Sequence, residues 1–305
     1  MKKVSILTLS LIMLGGIARA EDSVALQNVN SKIEAVQNTC SGIKSSLDTI
    51  FGLSVATTVS SGLGTVAAGG ALAVGIAKAK TDKKQQDLIA MLDDYKINPT
   101  EEKKQEILKG FDNLKNSIDK AENEISNLEK KSKTLGNVRT GLMAGATATS
   151  AVSTGTSLGA TLTATKLAEK MMQCNADLQA LKLAKSELEA EGETNEKADK
   201  ILSVCTGYDE ANIKSLKSLA TANAVVSGIG TATAGAGTIT SAMANSKKVR
   251  AGDKKKEKSL NLASNILAGV TMGTSATSTT LSAVQISKAK KDSEMAEKCE
   301  NILVE

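Results

Sequence analysis

The chain has 305 residues, 41% of them hydrophobic, with 38 Lys and Arg against 33 Asp and Glu. It holds no His and no Trp, two Phe, two Tyr, and one proline, Pro99. The missing imidazole removes the commonest general base and metal ligand. So few rings leave no stacking platform for nucleic-acid bases and few aromatic anchors for an interface. No catalytic, cofactor-binding or metal-binding residue stands out, and the composition points away from an enzyme.

The N-terminus speaks to compartment. Met1-Lys2-Lys3 is a basic start, Val4 to Gly16 a short apolar run, and Ala18-Arg19-Ala20 a small-x-small cleavage site before Glu21. This pattern predicts a bacterial-style secretory signal over residues 1–20, too short to span a bilayer. Removing Lys2, Lys3 and Arg19 from the 38 basic residues leaves 35 against 33 acidic ones. That near-neutral balance gives no support to nucleic-acid binding. The inner membrane or periplasm is the expected location, with secretion as the alternative.

Residues 22–50 carry apolar side chains at Leu26, Val29, Ile33, Val36, Cys40, Ile43, Leu47 and Ile50, alternating by three and four. This is a heptad seam of one continuous helix. The same rhythm runs on through Ser54, Thr57, Ser61, Gly64, Ala68, Ala71 and Gly75, so the seam persists while its residues shrink. Small seams let helix backbones approach closely. A flexible linker would not keep a seven-residue period.

Four stretches, 49–77, 140–165, 218–246 and 259–287, contain no charged residue. They form two related pairs. Ser61-Gly62-Leu63-Gly64-Thr65 recurs as Ser227-Gly228-Ile229-Gly230-Thr231. Gly141 and Gly145 before Ala148-Thr149-Ser150 recur as Gly269 and Gly273 before Ala276-Thr277-Ser278. In the second copy the small seam falls on Ala220, Asn223, Ser227, Gly230, Ala234, Gly237 and Ser241. The predicted helix-packing positions are therefore Ser61, Gly64, Ala68, Gly75, Gly141 and Gly145, with Ser227, Gly230, Ala234, Gly237, Gly269 and Gly273. The expected fold is all-α, a tandem duplication of a long antiparallel helical hairpin. Repeat 1 covers 21–189 and repeat 2 covers 190–305, with Glu189 to Asn195 as the hinge between them.

Between the stretches of repeat 1, Asn98-Pro99-Thr100-Glu101-Glu102 marks a helix stop and restart. Ile107, Phe111, Leu114, Ile118, Ala121, Ile125 and Leu128 then follow at heptad spacing. This predicts a coiled-coil arm inserted at 81–134, partnered by Leu88, Leu92 and Tyr95. Residues 82–135 of that arm would be available to a protein partner. Repeat 2 has a short turn over 247–258 instead.

Cys40 lies nine residues before the first uncharged stretch and Cys174 nine after the second; Cys205 and Cys299 flank Gly252 at equal distances. These offsets predict disulfides Cys40–Cys174 and Cys205–Cys299, which an oxidising compartment permits. Four free seam cysteines, or cross-pairing such as Cys174–Cys205, are the alternatives.

Uncharged stretches of 26 to 29 residues make about 39–44 Å of helix, enough to cross a bilayer core of ~30 Å. The connection at 247–258 carries a net +5 and that at 78–133 a net +1, whereas 21–48, 166–217 and 288–305 are net negative. That asymmetry follows the positive-inside rule and puts the cysteines on the exported side. Against a membrane stands the Ser and Thr content of stretches two to four. Membrane lipid is the expected partner, with self-association into a homo-oligomer also open. A role in organising membrane or holding a partner follows; a secreted hairpin protein inserting into a target membrane is the rival. Gly62-x-Gly64-x-x-Ala67 mimics part of a dinucleotide fingerprint, but no strand precedes it.

Overall fold

A computed structural model describes residues 23–108 and 114–304, and side chains outside 106–118, Lys248 and Ala251. The predicted signal at 1–20 lies outside them, as do the side chains of Ile107, Phe111, Leu114 and Ile118. The described chain is all-α, with no strand among the described residues. Its helices are α1 (Val24–Cys40), α2 (Ile43–Ile97), α3 (Glu101–Leu108), α4 (Leu114–Ala190), α5 (Glu196–Val204), α6 (Glu210–Ala244), α7 (Lys247–Gly252) and α8 (Lys254–Val304).

Capping residues set many of the ends. The hydroxyl of Ser23 accepts from the Leu26 amide at the start of α1, Asn195 Oδ1 from Ala198 at the start of α5, and Ser246 Oγ from Val249 at the start of α7. Each satisfies an amide that the first turn leaves unpaired. Two breaks differ from the expected continuity. The heptad through Cys40 and Ile43 does not sit on one helix, because α1 stops at Cys40 and Gly42 takes φ +73°. Cys205 is followed two residues later by Gly207 at φ +79°. Only glycine adopts this left-handed backbone without strain, so each Cys-x-Gly ends a helix. The expected turn at 247–258 is also mostly helical. It consists of α7, a corner at Asp253, and the start of α8, where Asp253 Oδ1 accepts from the Lys256 amide at 2.8 Å.

The chain divides into two compact units. The first comprises the described residues up to Ile50, Thr163–Lys217, and Ser287 onward. Its core is aliphatic: Val29, Ile33, Val36, Leu47, Leu167, Met171, Leu181, Leu188, Ile201 and Leu303 are all buried. Within it Cys40 is disulfide-bonded to Cys174 and Cys205 to Cys299, with Cα separations of 5.0 and 4.9 Å. Polar ties surround this core. Asn175 brackets Tyr208, donating to its carbonyl at 2.6 Å and accepting from its amide at 2.7 Å. Lys185 bridges Glu189 and Asp199.

The second unit comprises Phe51–Leu162 and Ser218–Ile286. Here α2, α4, α6 and α8 form a bundle in which each helix is hydrogen-bonded to at least two others. Thr57 pairs with Thr156 (α2–α4, 2.6 Å), Thr147 with Thr238 (α4–α6, 3.0 Å), Thr233 with Thr271 (α6–α8, 3.0 Å), and Ser61 with Ser278 (α2–α8, 3.0 Å). The buried positions of α2 include Ser54, Thr57, Ser61, Gly64, Ala68, Ala71, Gly75 and Lys78, and those of α6 include Ala220, Asn223, Ser227, Gly230, Ala234, Gly237 and Ser241. Beyond the bundle, Leu92 of α2 and Ala121 of α4 are buried against Met91, Tyr95 and Ile125.

Candidate functional site

The interior of the second unit is polar at its midpoint. The hydroxyls of Ser61, Ser153, Ser227 and Ser278, one from each bundle helix, close a ring. Successive distances are 2.7 Å (Ser61–Ser153), 3.1 Å (Ser153–Ser227), 2.9 Å (Ser227–Ser278) and 3.0 Å (Ser278–Ser61). All four residues are buried. Ser278 also donates to Asn223 Oδ1 at 2.6 Å, and Asn223 Nδ2 donates to Ser282 at 2.7 Å. A buried hydroxyl without a partner would be costly; each of the four ring hydroxyls finds one on a neighbouring helix. The Thr side chains also return a bond to the carbonyl four residues earlier, as Thr57 does to Leu53.

Two layers of small residues follow. Ala68, Ala146 and Ala234 pack together with Met272 against them, and Ala71, Met143 and Ala268 form the next layer. The glycines decide how closely the helices approach. A Cβ on Gly64 would stand 3.1 Å from Ser275 Oγ and 3.2 Å from Thr149 Oγ1. One on Gly230 would lie 3.0 Å from Thr274 Oγ1, while Gly75 faces Asn265 and Gly237 faces the Met143 methyl even more closely.

The remaining predicted packing glycines are elsewhere. Gly141, Gly145, Gly269 and Gly273 have no atom within 4 Å of a built Cβ. The α4 seam instead runs through Met143, Ala146, Ser150, Ser153 and Ser157, and the α8 seam through Ala268, Thr271, Ser275, Ser278 and Ser282. The recurring glycines of α4 and α8 therefore do not face a neighbouring helix.

The outer face is the reverse of the interior. Exposed aliphatics include Val59, Leu63 and Val66 on α2, Val152, Leu158 and Leu162 on α4, Val225, Ile229 and Ile239 on α6, and Leu262, Ile266 and Val270 on α8. Val66 is 74% exposed and Leu162 67%, whereas Ser61 is 1% and Ser278 1%. No charged residue interrupts these lengths. The stretch Val24–Ile97 is the one described helical stretch long and apolar enough, by length and composition, to cross a membrane.

Charge gathers where the uncharged lengths end. Lys78, 1% exposed, lies 2.6 Å from Asp82 and 2.9 Å from Glu257. Arg139, 0% exposed, donates to the side-chain and backbone oxygens of Asn261 at 3.1 and 3.0 Å. Burial lowers its pKa to about 10, still well above neutrality, so the guanidinium stays charged. Next to these groups opens a cleft of about 790 Å³ lined by residues of α2, α4, α7 and α8. Sequence reading passed over this cleft because its cations come from four helices. The one cue was the density of Lys in 247–258.

Among the described residues, no cluster of His, Cys, Asp and Glu could hold a metal ion. No protein-family model, curated protein or solved structure matches this chain.

Proposed function

We propose that the chain is a non-enzymatic protein of the bacterial cell envelope, exported by its N-terminal leader, whose second unit sits in a membrane and acts as a scaffold. One observation carries this reading: along charge-free lengths the bundle helices turn Ser, Thr, Ala and Gly inward and Val, Leu and Ile outward. A soluble bundle carries charge on its outer face and keeps large apolar patches off its surface. In lipid, small-residue seams and interhelical hydroxyl bonds are what hold helices together, since lipid tails supply no hydrophobic drive between them. The net +5 of residues 247–258 favours the cytoplasmic side for that connection. The cysteine-bearing connections then face the exported side, where disulfides persist.

At finer detail we read two tandem helical hairpins, 21–189 and 190–305. The recurring Ser-Gly-x-Gly-Thr segments support this, as does a Cys-x-Gly helix end in each copy. The inserted segment 81–134 is read as a coiled-coil arm for a protein partner, with the Leu92–Ala121 contact as its support. Washing membranes that carry the mature protein with alkaline carbonate tests the integral-membrane reading. The protein is expected to stay in the pellet; quantitative release would contradict the reading.

A second reading is favoured by one observation: Thr and Ser leave most of the uncharged lengths too weakly apolar to insert alone, and among the described residues only Val24–Ile97 is long and apolar enough to cross a membrane. In that reading the chain is secreted soluble and inserts on meeting a target membrane. It predicts a soluble monomer in culture fluid that releases dye from loaded vesicles.

A further inference from the structure

We propose that the cleft at the charged end of the second unit is a site for the phosphate of an anionic phospholipid headgroup. This rests on the membrane reading of that unit and adds a ligand to it. Six cations line the cleft: Lys83, Lys133, Lys247, Arg250, Lys254 and Lys258. Four carboxylates share it, and two of them are already engaged. Asp82 and Glu257 both pair with the buried Lys78, and Asp82 also accepts from Ser132 at 2.5 Å. Lys254 reaches Glu257 only at 3.6 Å.

Among the described residues, Arg250 donates to neutral oxygens alone, Asn245 Oδ1 and the Glu129 carbonyl, at 3.5 and 3.3 Å. Lys83, Lys133, Lys247 and Lys258 form no ion pair among the described residues. Asp87 and Glu129 are the remaining carboxylates, outnumbered by the uncommitted cations. A volume of about 790 Å³ is in the range of a small-ligand site.

The argument for lipid over a free phosphate is Leu262. It lines the cleft and is 62% exposed, and Ile266 and Val270 continue the same exposed side of α8. A headgroup in the cleft would therefore have aliphatic side chains leading away from it for its acyl chains. Arg and Lys near a membrane surface each favour anionic lipid, and Arg250 can grip phosphate through two N–H groups.

Co-sedimentation of the mature protein with phosphatidylcholine vesicles, and with the same vesicles containing phosphatidylglycerol, tests the proposal. The wild type is expected to bind both and to prefer the anionic vesicles. K133Q/K247Q/K258Q is expected to lose about fivefold of that preference per cation, roughly a hundredfold in all, while binding phosphatidylcholine unchanged. K200Q/K290Q/K298Q, which removes equal charge from the first unit, is expected to keep the preference. An equal loss in both triple variants would overturn the site, as would a preference left intact in the cleft variant. Soluble glycerol phosphate that abolished the preference would overturn the lipid as the source. Failure of every variant to bind phosphatidylcholine would instead count against the membrane reading.

Discussion

Ser61 donates a hydrogen bond to Ser278 Oγ at 3.0 Å, joining two helices whose residues are 217 positions apart in the chain. The pair belongs to a closed ring with Ser153 and Ser227, at the level where all four bundle helices offer a hydroxyl. Ser61→Ala leaves the other three members still bonded to one another or to Asn223. We expect it to cost about 1–3 kcal/mol, the net worth of the two ring bonds that Ser61 makes. Ser61→Leu forces a large side chain into the ring and is expected to cost a further 1–3 kcal/mol or so. Unfolding of the purified protein in detergent or bilayer discs reads both.

The glycines separate packing from repetition. Gly64→Leu and Gly237→Leu drive side chains into Ser275 and Met143 and should destabilise by about 1–3 kcal/mol. Gly145→Ala meets open space and should stabilise by about 0.5–1 kcal/mol through helix propensity. Equal destabilisation by all three, measured as shifts in the unfolding midpoint, would contradict the seam on α4.

Lys78 is fully enclosed and pairs with Glu257, 179 residues away. Lys78→Met removes the cation and leaves the Asp82 and Glu257 carboxylates without it. Breaking a buried pair in this way costs about 3–5 kcal/mol. Lys78→Met/Glu257→Leu removes both main charges and should recover most of that loss. Chemical denaturation of the single and double variants measures the difference.

The disulfides close loops of 134 and 94 residues. In the chain-entropy description each contributes about 4–5 kcal/mol. Cys40→Ser/Cys174→Ser and Cys205→Ser/Cys299→Ser should each lower the midpoint for the first unit. Peptide mapping without reductant should recover the two linkages separately.

Asp292 supplies a pH signature. It is 3% exposed and its Oδ2 has no hydrogen-bond partner. Burial raises its pKa, opposed by Lys291 and Lys288. With the folded pKa above the unfolded one, the ionised carboxylate counts against the native state at neutral pH. That penalty disappears as pH falls through the folded value towards the ordinary carboxylate range. Asp292→Asn should therefore stabilise at neutral pH. Its advantage over the wild type should shrink as pH falls. A constant difference across the titration would contradict the assignment.

Much of this was legible in the residue order. The small seam of α2 follows by counting sevens from Ile50, and that of α6 by the same rhythm from Ala220. The matched offsets of the cysteines named the two pairs that the structure joins. Other features needed three dimensions. On α4 and α8 the glycine repeats suggested a seam two residues out of phase with the buried one, because repetition shows equivalence and not facing. The breaks at Gly42 and Gly207 were hidden because the heptad of apolar letters continues across Cys40 even though the backbone turns there. The cleft draws Lys83, Lys133, Arg250 and Lys258 from four helices, and no local motif joins them. What letters alone could not give was direction: the same uncharged stretches hold both the hydroxyls that face in and the aliphatics that face out.

The chain has no Trp, so single tryptophans introduced at Leu63 or Ile266 report their surroundings without background. In vesicles with brominated acyl chains, both are expected to be strongly quenched and shielded from aqueous iodide, while a tryptophan replacing the exposed Lys298 of the first unit is expected to show the reverse. Iodide quenching of Leu63→Trp and Ile266→Trp, with no effect of the brominated lipid, would contradict a membrane-facing aliphatic surface.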